Sequence, residues 1–262
     1  MVVKKTWLLI YCCTLLLAGC KLASNPVQRA AGSMEGNWIC TDVLNQIAQA
    51  KSIRQLKDYP PYTELIFMQD SSKLLALNGQ VDMITLSYTY LSGGDALQVS
   101  DLEGNEEAYI KVIGDSMLML SNNFSTDMWR YVKVAPESVS PTGSVDVPEV
   151  FPLLLNHTLI SGAYTVKNVD EPYRIVFRNN GYIACSSDFT RYSLCYNGSC
   201  NTYSHQDLIY LSNERYGDFY GWKIQDSTLT IYSLLPVSMP DEITEYKLDK
   251  PIWVMEKMTA AI

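Results

Sequence analysis

Histidine is almost missing from this 262-residue chain: His157 and His205 are the only two. Neither sits in a catalytic motif, and each reads as an ordinary surface residue. Also missing are a Gly-x-Ser-x-Gly elbow, a glycine-rich phosphate loop, a dinucleotide fingerprint and a His-Glu-x-x-His zinc motif. With no base held beside a nucleophile, the sequence offers no catalytic residue, no metal and no cofactor, and reads as a non-enzyme. Runs of positive charge are lacking too. The 20 basic residues are dispersed among 28 acidic ones, giving a net charge of −8. A chain this acidic repels nucleic acid, which is not expected as a partner. Long apolar stretches are equally scarce. The one in residues 7–18 has 12 positions, short of the roughly 20 that a spanning helix needs.

That short run has the surroundings of an export signal. Lys4 and Lys5 precede it, and Leu17-Ala18-Gly19-Cys20 closes it. These four residues resemble the lipobox of bacterial lipoproteins. The resemblance implies cleavage before Cys20, with diacylglycerol on its thiol and a further acyl chain such as palmitate. Two or more chains are needed for stable anchoring, because one binds a membrane only marginally. Residues 1–19 are then a lipoprotein signal peptide and 20–32 a lipidated tether. Lys21, where an Asp would favour inner-membrane retention, points to the outer membrane, with the protein facing the periplasm or the cell surface. Loss of Lys4 and Lys5 leaves 18 basic against 28 acidic residues, a mature net charge of −10.

Of seven cysteines, Cys12 and Cys13 leave with the signal and Cys20 carries lipid, so Cys40, Cys185, Cys195 and Cys200 remain. In Cys195-Tyr-Asn-Gly-Ser-Cys200, Asn197-Gly198 is a strong two-residue hairpin signal. The two cysteines then fall at a non-hydrogen-bonded pair, close enough for a disulfide. A zinc site there would need two further ligands from a chain with two histidines, so a Cys195–Cys200 bridge is the expectation in an oxidising compartment. Cys40 and Cys185 pair with each other or stay reduced; the sequence leaves both open.

Residues 135–152 carry four prolines and no core periodicity, the composition of an extended linker. They separate 33–134 from 153–262, two halves of ordinary domain size. The halves read alike. Gly36-Asn-Trp38 opens the first and Gly162-Ala-Tyr164 the second. Leu65-Ile-Phe67 matches Ile175-Val-Phe177, and small turns follow at Asn78-Gly79 and Asn180-Gly181. The segment from Tyr109 with Ile-Gly-Asp-Ser matches that from Tyr220 with Ile-Gln-Asp-Ser. Met128-Trp-Arg-Tyr-Val-Lys133 matches Ile252-Trp-Val-Met-Glu-Lys257. Short alternating segments at regular spacing predict antiparallel strands. One helical segment is expected in residues 42–57, with Asp42 as cap and Val43, Ile47 and Ala50 as an apolar stripe.

Gly36-Asn37-Trp38 with Trp129-Arg130 resembles the lipocalin and related calycin barrels. In that family the Trp plugs the closed end and a basic side chain of the last strand lies across it. A helix after the first strand is similar to the lid of fatty-acid-binding proteins. The second half departs from the pattern, with Tyr164 for Trp and Val254 after Trp253. The resemblance implies an all-β protein of two consecutive small antiparallel β-barrels, with one short helical segment after the first strand of domain 1.

Aromatic density points to binding. Of 18 tyrosines, 11 lie at or beyond Tyr164, and Tyr216, Phe219, Tyr220 and Trp222 crowd one short segment. Alternation puts Tyr220 and Trp222 on one strand face and Phe219 on the other. They are the candidate ligand-binding residues, set against the commoner role of strand aromatics as core. The functional expectation is a membrane-anchored envelope lipoprotein that binds a small apolar ligand or an envelope protein partner without catalysis. The alternatives are a periplasmic inhibitor or envelope-assembly factor acting through exposed loops, and a carboxylate-dependent hydrolase.

Overall fold

The structure is a computed structural model. It describes residues 34–56, 58–68, 71–77, 83–121, 128–134, 150–186, 188–196, 205–238 and 244–258. Cys20, Cys200, the Asn78-Gly79 and Asn197-Gly198 turns and residues 135–149 of the linker lie outside them.

The first half is a closed eight-stranded barrel in which every strand pairs antiparallel with its sequence neighbours. Its strands are β1 (Gly36–Cys40), β2 (Glu64–Phe67), β3 (Lys73–Leu77), β4 (Ile84–Tyr90), β5 (Ala96–Ser100), β6 (Glu106–Ile113), β7 (Ser116–Ser121) and β8 (Met128–Val134). Pairing of β1 with β8, Trp38 opposite Lys133, closes the ring. Eight strands leave an interior just wide enough for side chains to fill. Here Trp38, Leu65, Phe67, Leu86, Leu97, Ile110, Met117, Met119 and Tyr131 fill it, and all are buried.

The second half repeats this plan with β9 (Gly162–Val166), β10 (Tyr173–Phe177), β11 (Ile183–Ala184), β12 (Arg191–Leu194), β13 (Leu208–Ser212), β14 (Gly217–Gln225), β15 (Thr228–Ser238) and β16 (Thr244–Lys257). Its strand order is again sequential, with β16 pairing β9. The seam between β11 and β12 is the weak point, held among the described residues by a single bridge, Tyr182 opposite Arg191. Ile183 N–H donates to Thr190 O at 2.9 Å and Tyr192 N–H to Gly181 O at 2.7 Å. Outside, the Arg191 guanidinium lies 4.9 Å from the Tyr182 ring centre and donates to its hydroxyl.

Two short helices complete the described fold. The first, α1 (Thr41–Ala50), buries Val43 and Ile47 as the apolar spacing requires. It is shorter than the predicted segment, because Lys51 turns left-handed at φ 50° and ends it. Asp42 does not cap it: Cys40 is the N-cap, with no side-chain bond, and Asp42 instead accepts from Arg130 N–H at 2.8 Å. The helix covers the end of the barrel opposite Gly36 and packs on β8. The second, α2 (Phe151–Leu159), begins inside the segment read as linker. Pro152 signals a break in a linker but is well placed in the first turn of a helix, where its missing N–H costs nothing.

The repeat is real and reaches individual side chains. The Trp38 indole N–H donates to Met34 O at 2.7 Å, and the Tyr164 hydroxyl to Ile160 O at 2.8 Å. Each ring carries a lysine at nearly the same distance, Lys133 at 5.9 Å and Lys257 at 5.8 Å. The cation over Trp38 is thus Lys133 and not Arg130, whose side chain points outward beside buried Trp129 and Tyr131. The second half keeps the device that its Val254 had hidden. Phe67 stacks edge-on against Tyr88 and Phe177 against Tyr192, both at 5.2 Å.

Candidate functional site

Both barrels have two unlike ends, and the ends decide what is left exposed. At the β1 start, the buried aromatic and its lysine plug barrel 1; at the β9 start, Tyr164 and Lys257 plug barrel 2. The far end of barrel 1 is lidded by α1. At the far end of barrel 2 no helix stands among the described residues, and residues 167–172 run from β9 straight into β10. Aromatic side chains fill that mouth.

Phe189 sits at its centre. Its ring lies 5.8 Å from Tyr216, 5.5 Å from Tyr220 and 5.6 Å from Trp253, all edge-on. Trp253 continues inward to Phe177 at 6.4 Å, and Phe177 to Tyr164 at 5.8 Å. A chain of edge-to-face rings therefore runs through the whole barrel, an arrangement worth roughly 0.5–1.5 kcal/mol per pair beyond area burial. Phe189 is buried, Tyr220 half-buried and Tyr216 53% exposed, so the chain ends in solvent. Asp188 and Asp218 flank it and, behind burial, push the Tyr220 hydroxyl above its ordinary range. Burial, then Asp188, does the same to Tyr173.

A two-stranded ribbon rises from this same end. Strands β15 and β16 pair beyond the barrel, from Leu234 opposite Leu248 to Ser238 opposite Thr244. Register shifts around Tyr232 interrupt the β15–β16 pairing at the base of the ribbon. At its base Leu248 lies over Gly221, where a Cβ would stand 2.0 Å from Leu248 Cδ2, so a larger residue there would have to displace the leucine side chain. Leu235, 53% exposed, is on the ribbon.

The four aromatic candidates therefore have different fates. Tyr216 and Tyr220 meet at the mouth. Phe219 lies on the outer wall, 5.1 Å from Tyr210. Trp222 is fully buried, its indole N–H donating to Leu208 O at 3.1 Å. Alternation separated Phe219 from its neighbours correctly. Phe189, the centre of the mouth, was missed because it stands alone between polar residues and joins the others only through the barrel closure.

The barrels are joined head to tail by two carboxylates acting in opposite directions. Glu64, on β2, is wholly buried. It accepts from Asn37 Nδ2 at 2.5 Å and from the N–H groups of Val150 and Phe151 at 2.9 Å, so barrel 1 grips the start of α2. Such bonds satisfy helix N–H groups that have no partner within the helix. Asp207, next to β13, reaches back. Its carboxylate accepts from Ser52 Oγ at 2.5 Å, Ile53 N–H at 2.8 Å and Arg54 N–H at 3.0 Å. Burial raises the Asp207 carboxyl above its usual value, opposed by these donors. Lys51 adds a bond to Asp226 O at 2.9 Å, and α1 packs against α2. The lidded end of barrel 1 thus abuts the plugged end of barrel 2, and the aromatic mouth is left at the far end of the molecule.

Two concave surfaces accompany these contacts. One, about 410 Å³, lies between the polar face of α1 and β8, beside Asp42 and Asp58. The other, about 310 Å³, lies in the junction between the barrels. The exposed histidines, His157 on α2 and His205 beside the junction, do not face each other across a reacting centre. Cys40 is a free thiol that burial pushes up to about 12, which keeps it unreactive; Cys185 is free and exposed. Cys195 is buried, and Cys200 lies outside the described residues.

Fold and geometry together define a tandem up-and-down β-barrel protein, all-β apart from its short helices. Comparisons of the chain with protein families, with curated proteins and with solved structures find no match.

Proposed function

We propose that this protein is an outer-membrane lipoprotein, anchored through Cys20, that binds an envelope protein partner through the aromatic mouth of barrel 2 and performs no catalysis. One observation carries the reading: the end that α1 lids in barrel 1 is, in barrel 2, a set of half-exposed tyrosines around Phe189 beside a protruding ribbon. Tyrosines with an apolar body and a polar tip suit protein interfaces. Asp188 and Asp218 favour a partner surface carrying positive charge. The interiors weigh against an apolar ligand held inside a barrel, since both are packed with the chain's own side chains. A Cys195–Cys200 bridge belongs to the same reading, as the staple of a hairpin in an oxidising compartment.

Photo-crosslinking in cells tests it, with the reactive side chain at Tyr216, at Leu235 and, as a control, at Lys111 on the outer wall of barrel 1. Adducts of one common protein at 216 and 235, absent at 111 and lost on Tyr220→Ala, support the mouth. Equal labelling at all three positions would sink it. A small apolar molecule that copurifies and leaves on denaturation, seen by native mass spectrometry, would return the function to the barrel interior.

A further inference from the structure

The junction between the barrels has a charge character opposite to that of the molecule. In a chain of net charge −8, the 310 Å³ cleft gathers Lys51, Arg54 and Lys223 with His205 alongside. Asp207 is its single carboxylate, and both Asp207 oxygens already accept hydrogen bonds from Ser52 Oγ and from the Ile53 and Arg54 amides. Three cations thus line the cleft against one carboxylate, with the Lys51 ammonium also donating to Asp226 O at 2.9 Å.

The cations come from separate elements and are placed by separate devices. Lys51 is held at the end of α1 in the left-handed conformation, φ 50°, which a side chain adopts at a cost. Arg54 lies half-buried on the turn that Asp207 clamps, and burial works against its charge. Lys223 projects from the outer face of β14, opposite Thr230. Neither barrel alone holds all three.

We propose that this cleft binds a small soluble anion, a phosphorylated or carboxylated molecule of about hexose size. A volume near the lower end of ordinary ligand pockets, roughly 300–1,000 Å³, sets the size. Three cations in a concave, partly desolvated site set the charge, since anions there are screened less than at an open surface. The glutamine amides lining the cleft and Thr230 supply hydrogen bonds to the uncharged part. This site is distinct from the aromatic mouth and lies at the opposite end of barrel 2, so its occupancy does not depend on the protein-binding reading.

Calorimetric titration of the full-length protein in detergent is the test, with glucose 1-phosphate as probe and glucose as the neutral counterpart. Saturable binding of glucose 1-phosphate is expected with a Kd below about 1 mM, weakening as salt rises. Lys223→Glu should weaken it at least about tenfold, Lys223→Arg should restore it, and Lys111→Glu, on the outer wall of barrel 1, should leave it unchanged. Because Lys223 is exposed, its replacement spares the fold. Equal binding of glucose, indifference to Lys223→Glu, or no saturation up to about 10 mM would each overturn the proposal.

Discussion

A lysine poised over a buried ring recurs in both barrels although the neighbouring residues changed. Trp38 became Tyr164, and the residue after the closing-strand tryptophan changed from Arg130 to Val254, yet Lys133 and Lys257 hold their rings at nearly equal distance. Gly-x-aromatic was legible in the sequence because glycine marks backbone that other residues avoid, φ 107° at Gly36 and 149° at Gly162. The basic partner was misassigned because adjacency on a strand places Arg130 and Trp129 on opposite faces, whereas Lys133 comes level with Trp38 through barrel closure. Asp207 was invisible for a similar reason: its donors are more than 150 residues away. Its removal should matter. Asp207→Ala orphans the amides of Ile53 and Arg54, and a loss of about 1–3 kcal/mol in denaturant unfolding is expected. The pH profile gives an independent reading. With its carboxyl raised by burial, the folded protein holds this proton more tightly than the unfolded chain. The resulting stability is complete below about pH 4 and is lost as pH climbs through the raised value. Asp207→Asn should therefore flatten a downward step of Tm in that window; an unchanged profile would assign the step elsewhere.

Among the elements, strands were legible and their exact registers less so. Leu65 and Phe67 correspond to Ile175 and Phe177 as the sequence suggested, both pairs opposite the opening strand. The Ile-x-Asp-Ser match slips by one. The β6–β7 turn is Gly114-Asp115, whereas β14 and β15 turn at Asp226-Ser227. Asp226 takes the left-handed place, φ 53°, that Gly114 takes at φ 61°. Ile110 thus corresponds to Trp222, each opposite a buried Met119 or Ile231. A one-residue slip exchanges the two faces of a strand, so a shared string is a poor guide to register. Helix α2 was missed because its proline and the apolar run Leu153-Leu154-Leu155 lack a cap residue. The seam of barrel 2 yields a sharp prediction. Gly181 has φ 81°, and a Cβ there would stand 2.8 Å from Tyr192 O. Gly181→Ala should cost about 1–3 kcal/mol, and hydrogen exchange should accelerate at Tyr192 and Ile183 while barrel 1 keeps its protection. Uniform acceleration in both barrels would mean that the seam does not open on its own.

At the scale of the whole molecule, the sequence announced two similar halves and a linker but could not show how the halves meet. That depends on Glu64 and Asp207, each reading as an ordinary surface acid until the barrels dock. The anchor makes its own prediction. Cys20→Ala should yield unacylated protein that no longer pellets with membranes; a fully membrane-bound product of mature size would defeat the lipoprotein reading. A non-reducing digest of the wild type should contain one peptide pair linking Cys195 to Cys200, and a link from either to Cys40 or Cys185 would refute that pairing.

The seam between β11 and β12 also bears on how a protease would reach this chain. Opening it breaks one bridge and a few hydrogen bonds, not a barrel, so it exposes backbone far more often than global unfolding does. Where opening and closing outpace cleavage, a protease samples the open population and not the unfolding rate. Weakening the Tyr182–Arg191 contact should enlarge that open population, so Arg191→Ala is expected to shorten the half-life of the protein without moving the melting temperature of barrel 1.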